Sequence, residues 1–319
     1  MTRSPLAAIT GGTGFVGLHL IPTLARAGFR LRLLVREPLS HPAFANLALE
    51  TVSGSVEDRT ALAALVRDAD VVIHAAGLIK AHKRADFLKT NRDGTASVAQ
   101  VTRQDAPQAR FLLVSSLAAR EPQLSPYAFS KQAAEHAAQL AYQSASDQLV
   151  IIRPPALYGP WDKETLPLFQ ASKRAFVPLL SQGKAALLHA DDAAEALAAL
   201  AGAGFRPGCF TLADERPAGY SMRDIFTAAS QATGGRPTFF NLPAPLLLAA
   251  GAASGLWGKT HRVAPIFTLG KAREILHEDW SVSATELLPR DIYTPRITLS
   301  AGFAQTVAWY KQAGWLHSS

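Results

Sequence analysis

Cysteine is nearly absent from this chain: Cys209 is the only one in 319 residues. That excludes an intramolecular disulfide and any metal site built on several thiolates, and it fits a reducing compartment. The basic excess, a net charge of +7 and a pI near 9.7, is scattered, with no Lys/Arg block and no stacking-aromatic motif. Nucleic acid is therefore not the expected partner, and the charge better suits a phosphate-bearing cofactor or an acidic substrate. Low-complexity tracts, internal repeats and Ser/Gly-rich linkers are missing too. The apolar run Leu6–Ile9 is too short for a secretory signal and leads straight into a glycine loop, so a cytoplasmic protein is expected. The apolar segment Leu246–Trp257 falls well short of the roughly 20 residues of a membrane span. It reads as a core helix of a smaller lobe, with an exposed helix facing a greasy substrate, a partner or a bilayer surface as the alternative. His189, His261 and His277 are isolated, read as structural, and no metal site is expected.

What is present is a regular alternation. Apolar strand runs fall at Leu6–Thr10, Leu31–Val35, Ala48–Val52, Val71–Ala75, Phe111–Ser115 and Leu149–Arg153. Alanine-rich helical periods lie between most of them, at Phe15–Ala27, Thr60–Arg67, Asn91–Arg103 and Ser130–Tyr142. Continuous apolar strands alternating with helices predict an α/β, doubly wound parallel sheet covered on both faces. After about residue 154 prolines and aromatics break the rhythm, which resumes briefly at Asp191–Leu200 and Cys209–Leu212. The expected division is a cofactor-binding domain at 1–154, with 186–212 returning to it, and a smaller substrate-covering lobe at 155–185 and 213–319.

Ligands of such sheets sit beyond the carboxyl ends of the strands. The first strand there enters a turn with Gly11, Gly14 and Gly17, followed by an apolar-periodic helix that Gly28 closes. Glycines in that context give a tight turn, close approach of a pyrophosphate to the backbone, and close helix–strand packing, with free N–H groups at the helix start for phosphate. Pro22 removes one hydrogen bond from that helix and is expected to kink it. Farther on, Tyr127 and Lys131 stand four apart in Ser125-Pro126-Tyr127-Ala128-Phe129-Ser130-Lys131. On a helix they share a face, and an ammonium one turn from a phenol stabilises the phenolate. The pair is a proton-transfer device.

Taken in order, these motifs resemble the extended branch of the short-chain dehydrogenase/reductase superfamily, which includes NAD-dependent epimerases and dehydratases. Thr10-Gly11-Gly12-Thr13-Gly14-Phe15-Val16-Gly17 is similar to its cofactor loop, and His74-Ala75-Ala76-Gly77 to its fourth-strand segment. Asn91-Arg92-Asp93-Gly94-Thr95, Val114-Ser115-Ser116, Arg153-Pro154-Pro155 and His189-Ala190-Asp191-Asp192 resemble further landmarks. The likeness covers the first 200 residues well and the rest loosely. It implies a Rossmann fold with a smaller C-terminal lobe. Ser116, Tyr127, Lys131 and Asn91 become the catalytic set: Tyr127 as acid/base, Lys131 tuning it, Ser116 (chosen over Ser115) orienting the substrate oxygen, and Asn91 holding a relay water. Asn91 equally suits a helix N-cap. Cofactor contacts are implied for Gly11, Thr13, Gly14, Phe15, Val16, Gly17, Arg36, Ser55, Val56, Ala75, Ala76, Gly77 and Pro154, and again for Tyr127 and Lys131.

Arg36 ends the second strand where NAD enzymes usually place an acid, and a guanidinium there suits the 2′-phosphate of NADP. Glu37 keeps NAD as the alternative. Leu117-Ala118-Ala119 after Ser116 lacks the acid pair of the branch's dehydratases. The expected activity is NADP(H)-linked hydride transfer, reducing a carbonyl or oxidising an alcohol. A sugar-nucleotide epimerase, using Arg153, Lys163, Lys173, Arg174 or Lys184 on a pyrophosphate, and a non-catalytic nucleotide-binding subunit are the other readings. The apolar lobe (Leu246–Trp257, Ile266, Phe267) and Phe176, Pro178 and Trp161 point to a hydrophobic carbonyl substrate, with a nucleotide sugar as the alternative. The family often pairs through the helices carrying Asn91 and Tyr127, so a homodimer is expected.

Overall fold

The structure, a computed structural model, describes residues 3–81, 83–261 and 267–317, with only the backbone described for 255–261. The chain forms two compact units: Met1–Arg153, Ala193–Phe210 and Leu288–Thr294 in one, and Pro154–Asp192, Thr211–Leu287 and Pro295–Ser319 in the other.

The first unit is built on β1 (Leu6–Thr10), α1 (Phe15–Arg26), β2 (Arg30–Val35), β3 (Leu49–Ser53), α2 (Arg59–Val66), β4 (Val71–His74), α3 (Arg84–Phe87), α4 (Gly94–Asp105), β5 (Arg110–Val114), α5 (Pro126–Ala141) and β6 (Leu149–Arg153). Six strands run parallel in the order β6-β5-β4-β1-β2-β3. The order reverses between β1 and β4, which opens a crevice at their carboxyl ends. Strand side chains alternate between two covered faces. Ala8, Val72, Phe111, Leu113 and Ile151 pack with Leu62, Leu65, Val98 and Tyr142 of the helices and the turn after α5, while Leu33 faces Ile21 of α1. Burial on both faces is why these strands read as continuous apolar runs.

Helix α1 runs unbroken through Pro22, which lies inside it. Helix α5 begins at Pro126, earlier than the apolar period from Ser130 suggests, because Ser125 accepts the N–H of Ala128 and Pro126 needs no N–H in the first turn. The segment expected as one helix from Asn91 starts with a π-helical turn, Leu88–Asp93, before α4.

Chain order continues with β7 (Ala156–Tyr158), α6 (Leu166–Ser172), β8 (Phe176–Leu179), β9 (Lys184–Ala185), β10 (Leu187–His189), α7 (Ala190–Ala201), β11 (Gly208–Thr211), β12 (Tyr220–Ser221), α8 (Met222–Thr233), β13 (Thr238–Asn241), α9 (Ala244–His261), α10 (Leu269–Leu276), β14 (Asp279–Trp280) and α11 (Leu299–Gln312). Strand β11 adds a seventh strand beside β6. Among the described residues the second unit holds three small sheets, β10-β7, β12-β9-β14 and β13-β8. Its core gathers Tyr158, Phe169, Leu187, Phe303, Val307 and Tyr310. Trp161 belongs to an aromatic cluster with Trp309, ring centroids 4.5 Å apart. His189 is buried against Tyr158, and the His277 ring lies tilted against Trp280, centroids 4.7 Å apart. Ile266 lies outside the described residues, as do the side chains of Leu256, Trp257 and His261.

Candidate active site

The glycine loop joins β1 to α1. Gly11 adopts φ +73, and a Cβ there would meet the Ala75 carbonyl carbon at 2.4 Å, so the loop lies directly on the turn after β4. At Gly17 a Cβ would stand 2.2 Å from the Gly12 oxygen. Backbone cannot yield as a side-chain tip can, so Gly17→Ala lowers stability by about 3 kcal/mol, which a urea or thermal melt reads. Gly14 has room: a Cβ there meets only the Gly11 oxygen, at 3.4 Å. No side chain caps the start of α1, and Thr13 and Gly14 are exposed. A bare helix N-terminus behind an open glycine is what a pyrophosphate requires. These residues fit a dinucleotide.

Val35 pairs with Ser53 and accepts the N–H of Gly54, which sets Arg36 and Ser55 beyond neighbouring strand ends. Arg36 and Glu37 are both exposed, and neither makes an ion pair or side-chain hydrogen bond among the described residues. Arg32 of the same strand is instead committed, to Glu50 and to the last carbonyls of α2. Ser55 accepts the N–H of Glu57. Val56 packs beside the start of α4, its Cγ2 only 2.8 Å from where a Cβ on Gly94 would lie.

Under the crevice runs a buried polar chain that sequence reading missed. The Thr95 hydroxyl donates to the Asn91 carbonyl, so it accepts from His74 Nε2–H at 3.0 Å. The other ring nitrogen then accepts from Thr10 at 2.6 Å, and the Thr10 oxygen accepts the N–H of Ala76. Burial, seconded by the charge of Lys131, pushes the His74 pKa down to about 3, so the ring is neutral as this tautomer demands. The chain ties β1, β4 and the π-turn into one piece.

Asn91 sits inside that π-turn, so it is no N-cap. Its Oδ1 accepts the Leu78 N–H, and its Nδ2 donates to the Leu78 carbonyl and to Ser130 Oγ, which donates to the Tyr127 carbonyl. One amide thus clamps the Gly77–Leu78 loop to the helix bearing Tyr127. Lys131 Nζ and Asn91 Oδ1 both converge on Gly77, 3.7 and 3.4 Å from where its Cβ would lie. Lys131 donates to the Val114 carbonyl at 2.9 Å, and burial lowers its pKa to about 8 against the opposing pull of Glu135. Tyr127 is half-buried with its ring edge toward Phe87.

The two serines after β5 part company. Ser115 is buried and donates to Glu135, whose carboxylate also takes a two-pronged ion pair from Arg153, at 2.9 and 2.6 Å. Ser116 is half-exposed and caps the short turn Leu117–Arg120 by accepting the N–H of Ala118. Glu135 stands one turn beyond Lys131 on the same helix, a spacing it shares with many solvated helix charges. Pro154, the first residue of the second unit, is buried.

The profile of the NAD dependent epimerase/dehydratase family matches residues 7–212, from the first strand to the seventh. The chain belongs to that family. A ceramide reductase of Caulobacter vibrioides is 44% identical over 98% of this chain and 96% of its own length. A ketoreductase of Stigmatella aurantiaca, acting on a farnesylated 3-oxo-dihydroquinoline oxide, is 30% identical over 50% of this chain and 52% of its own. Among solved folds, a dTDP-glucose 4,6-dehydratase of Streptomyces venezuelae with NAD bound superposes with a TM-score of 0.73 at 20% identity, covering 98% of this chain and 99% of that one. The family member described here is an NAD-dependent oxidoreductase in that coarse sense. Where the dehydratases of the branch carry an acid pair after the catalytic hydroxyl, it has the buried Leu117 and then Ala118. The first carboxylate after Ser116 is Glu121, 3.7 Å from Arg120.

Proposed function

We propose that this protein reduces a ketone on a ceramide-like lipid with NADPH, Tyr127 giving the proton. The observation that carries the reading is the Tyr127–Lys131 pair, tied through Ser130 and Asn91 to the Gly77–Leu78 loop and through the Lys131 ammonium to the carboxyl end of β5. The near-full-length likeness to a ceramide reductase supports the substrate class. An amide carbonyl resists a nicotinamide hydride, so the reducible group is a ketone on the long-chain base. Bound NADPH supplies the hydride. The chain's own residues do the rest: the N-terminus of α1 and Gly14 hold the pyrophosphate, Arg36 takes the 2′-phosphate, Ser116 orients the substrate oxygen, and Tyr127 protonates it. Lys131 keeps a positive charge beside that proton donor, and Asn91 keeps one Oδ1 lone pair for a relay water.

Of the cations an epimerase would turn toward a sugar-nucleotide pyrophosphate, Arg153 is held by Glu135, Lys173 donates to the His317 carbonyl, and Lys163 lies over Trp315. The side chains of Arg174 and Lys184, the other two, keep no partner among the described residues, so the choice of reductase over epimerase rests on the near-full-length likeness to a reductase. The test is oxidation of NADPH, followed at its absorbance band, with a short-chain ceramide bearing a ketone on its base. Oxidation of NADPH with the ketolipid is the expected result; no oxidation with it, together with interconversion of UDP-glucose and UDP-galactose read by chromatography, sinks the reading.

Arg36→Glu raises the KM for NADPH by about 10- to 100-fold, the worth of a charge-assisted hydrogen bond. The KM for NADH changes by less than about threefold, because NADH has no phosphate there. Lys131, with a folded pKa of about 8, gives an alkaline limb. Below pH 8 its charge supports proton donation by Tyr127, and as pH rises through 8 that charge and the rate fall together. In Lys131→Arg the guanidinium stays charged, and kcat/KM at saturating NADPH no longer falls near pH 8.

A further inference from the structure

Strands β8 and β13 of the second unit pair in parallel, Thr238 opposite Phe176 and Phe240 opposite Pro178. Alternation sends Val177, Leu179 and Phe239 inward against Phe226, and Phe176 and Phe240 outward. Phe176 is 67% exposed and Phe240 46%. Helix α9 follows β13 at once and extends the same character: Leu247 is buried, Gly251 lies backbone-close to Thr268, and Leu246 is 58% exposed. Ala249, Ala250 and Ala253 also face out. No charged residue occurs from Pro237 to Gly258.

The charge along the two stretches that build this face has one sign. There is no Asp or Glu between Glu164 and Asp191, nor between Asp224 and Glu274, the two stretches that supply β8, β13 and α9. Arg174 and Arg236 stand exposed at the entries to the two strands, which the Thr238 N–H bond to the Ala175 carbonyl holds side by side. Neither guanidinium has a partner among the described residues.

We propose that this face docks on an anionic phospholipid bilayer, with Phe176, Phe240 and Leu246 entering the headgroup layer and Arg174 and Arg236 on lipid phosphates. A second copy of the chain fits less well, since a two-fold contact would set the same unpaired cations against each other. No helix among the described residues is long and apolar enough to cross a membrane, so attachment is from one side. The inference concerns the second unit's surface and stands whatever reaction the first unit performs.

The experiment is co-sedimentation of the full chain with sucrose-loaded vesicles, of phosphatidylcholine alone or with about one third phosphatidylglycerol. It is run at about 0.1 M and about 0.5 M salt. The protein is expected to pellet with the anionic vesicles at low salt and to leave them at high salt. The pair Arg174→Glu/Arg236→Glu and the triple Phe176→Ser/Phe240→Ser/Leu246→Ser each weaken binding by at least about tenfold. Melting temperature and NADPH binding stay unchanged in the charge-reversed pair, whose altered side chains are exposed and make no ion pair among the described residues, so its loss is one of docking and not of fold or cofactor site. Three results overturn the proposal: a wild-type protein that stays in the supernatant, equal pelleting with neutral vesicles, or a wild-type dimer that the triple substitution turns into a monomer while no vesicle is bound.

Discussion

Tyr127→Phe lowers kcat by about 10²- to 10⁴-fold, the usual worth of a positioned general acid, while the dissociation constant for NADPH moves by no more than about threefold. The hydroxyl is the only atom group lost. The ring stays in α5, whose start is fixed by Ser125 and Pro126, and keeps its edge toward Phe87. The Ser130 bond to the Tyr127 carbonyl, and through it the Asn91 clamp, use backbone and are untouched. Single-turnover mixing of enzyme, NADPH and ketolipid separates the chemical step from binding. A variant that retains the wild-type single-turnover rate would remove Tyr127 from the chemistry.

The second large effect is on stability. Glu135→Ala destabilises the first unit by about 2–4 kcal/mol, read as a lowered urea midpoint or melting temperature. Removing one partner of a buried pair costs about 3–5 kcal/mol, discounted here because the Arg153 side chain is 22% exposed whereas that of Glu135 is 3%. Ser115 is left with a buried hydroxyl and no acceptor, at the residue next to Ser116. Activity therefore falls even in the fraction that stays folded. Replacing both charges by apolar groups of similar size, Glu135→Leu with Arg153→Met, restores only part of the stability: Arg153 no longer leaves an unpaired charge, but Lys131 and Ser115 still lack Glu135. It does not restore the rate, since Ser115 still lacks its acceptor.

Most of what positions the site was legible from the residues. Buried parallel strands must be apolar on both faces, so β1, β2 and β4 to β6 announce themselves within a residue or two of their observed ends. Gly11 and Gly17 are dictated by backbone contacts that no side chain tolerates, and such constraints leave a sequence trace. Tyr127 and Lys131 stand out by helical spacing.

Three features left no such trace. The π-turn at Leu88–Asp93 has the composition of an ordinary helix, and only tertiary bonds from Asn91 and Thr95 reveal the extra residue. Glu135 looks like a solvated helix charge until the fold brings Arg153 and Ser115 to it from two strands. His74 gives no hint of its tautomer, which follows from hydroxyls on β1 and α4. The outward Phe176 is a further case: an apolar residue in a strand is expected inside, and only the register of β8 with β13 shows which side it takes.

The most direct test of the account follows a single atom. Purified protein is given the ketolipid and NADPH carrying deuterium at the transferable position of the nicotinamide, and the lipid is examined by mass spectrometry. The account predicts one deuterium on the new hydroxyl-bearing carbon of the long-chain base in the wild type, and the same label appearing about 10²- to 10⁴-fold more slowly in Tyr127→Phe. A lipid alcohol formed without deuterium, or labelled at the same rate by the two proteins, would contradict it.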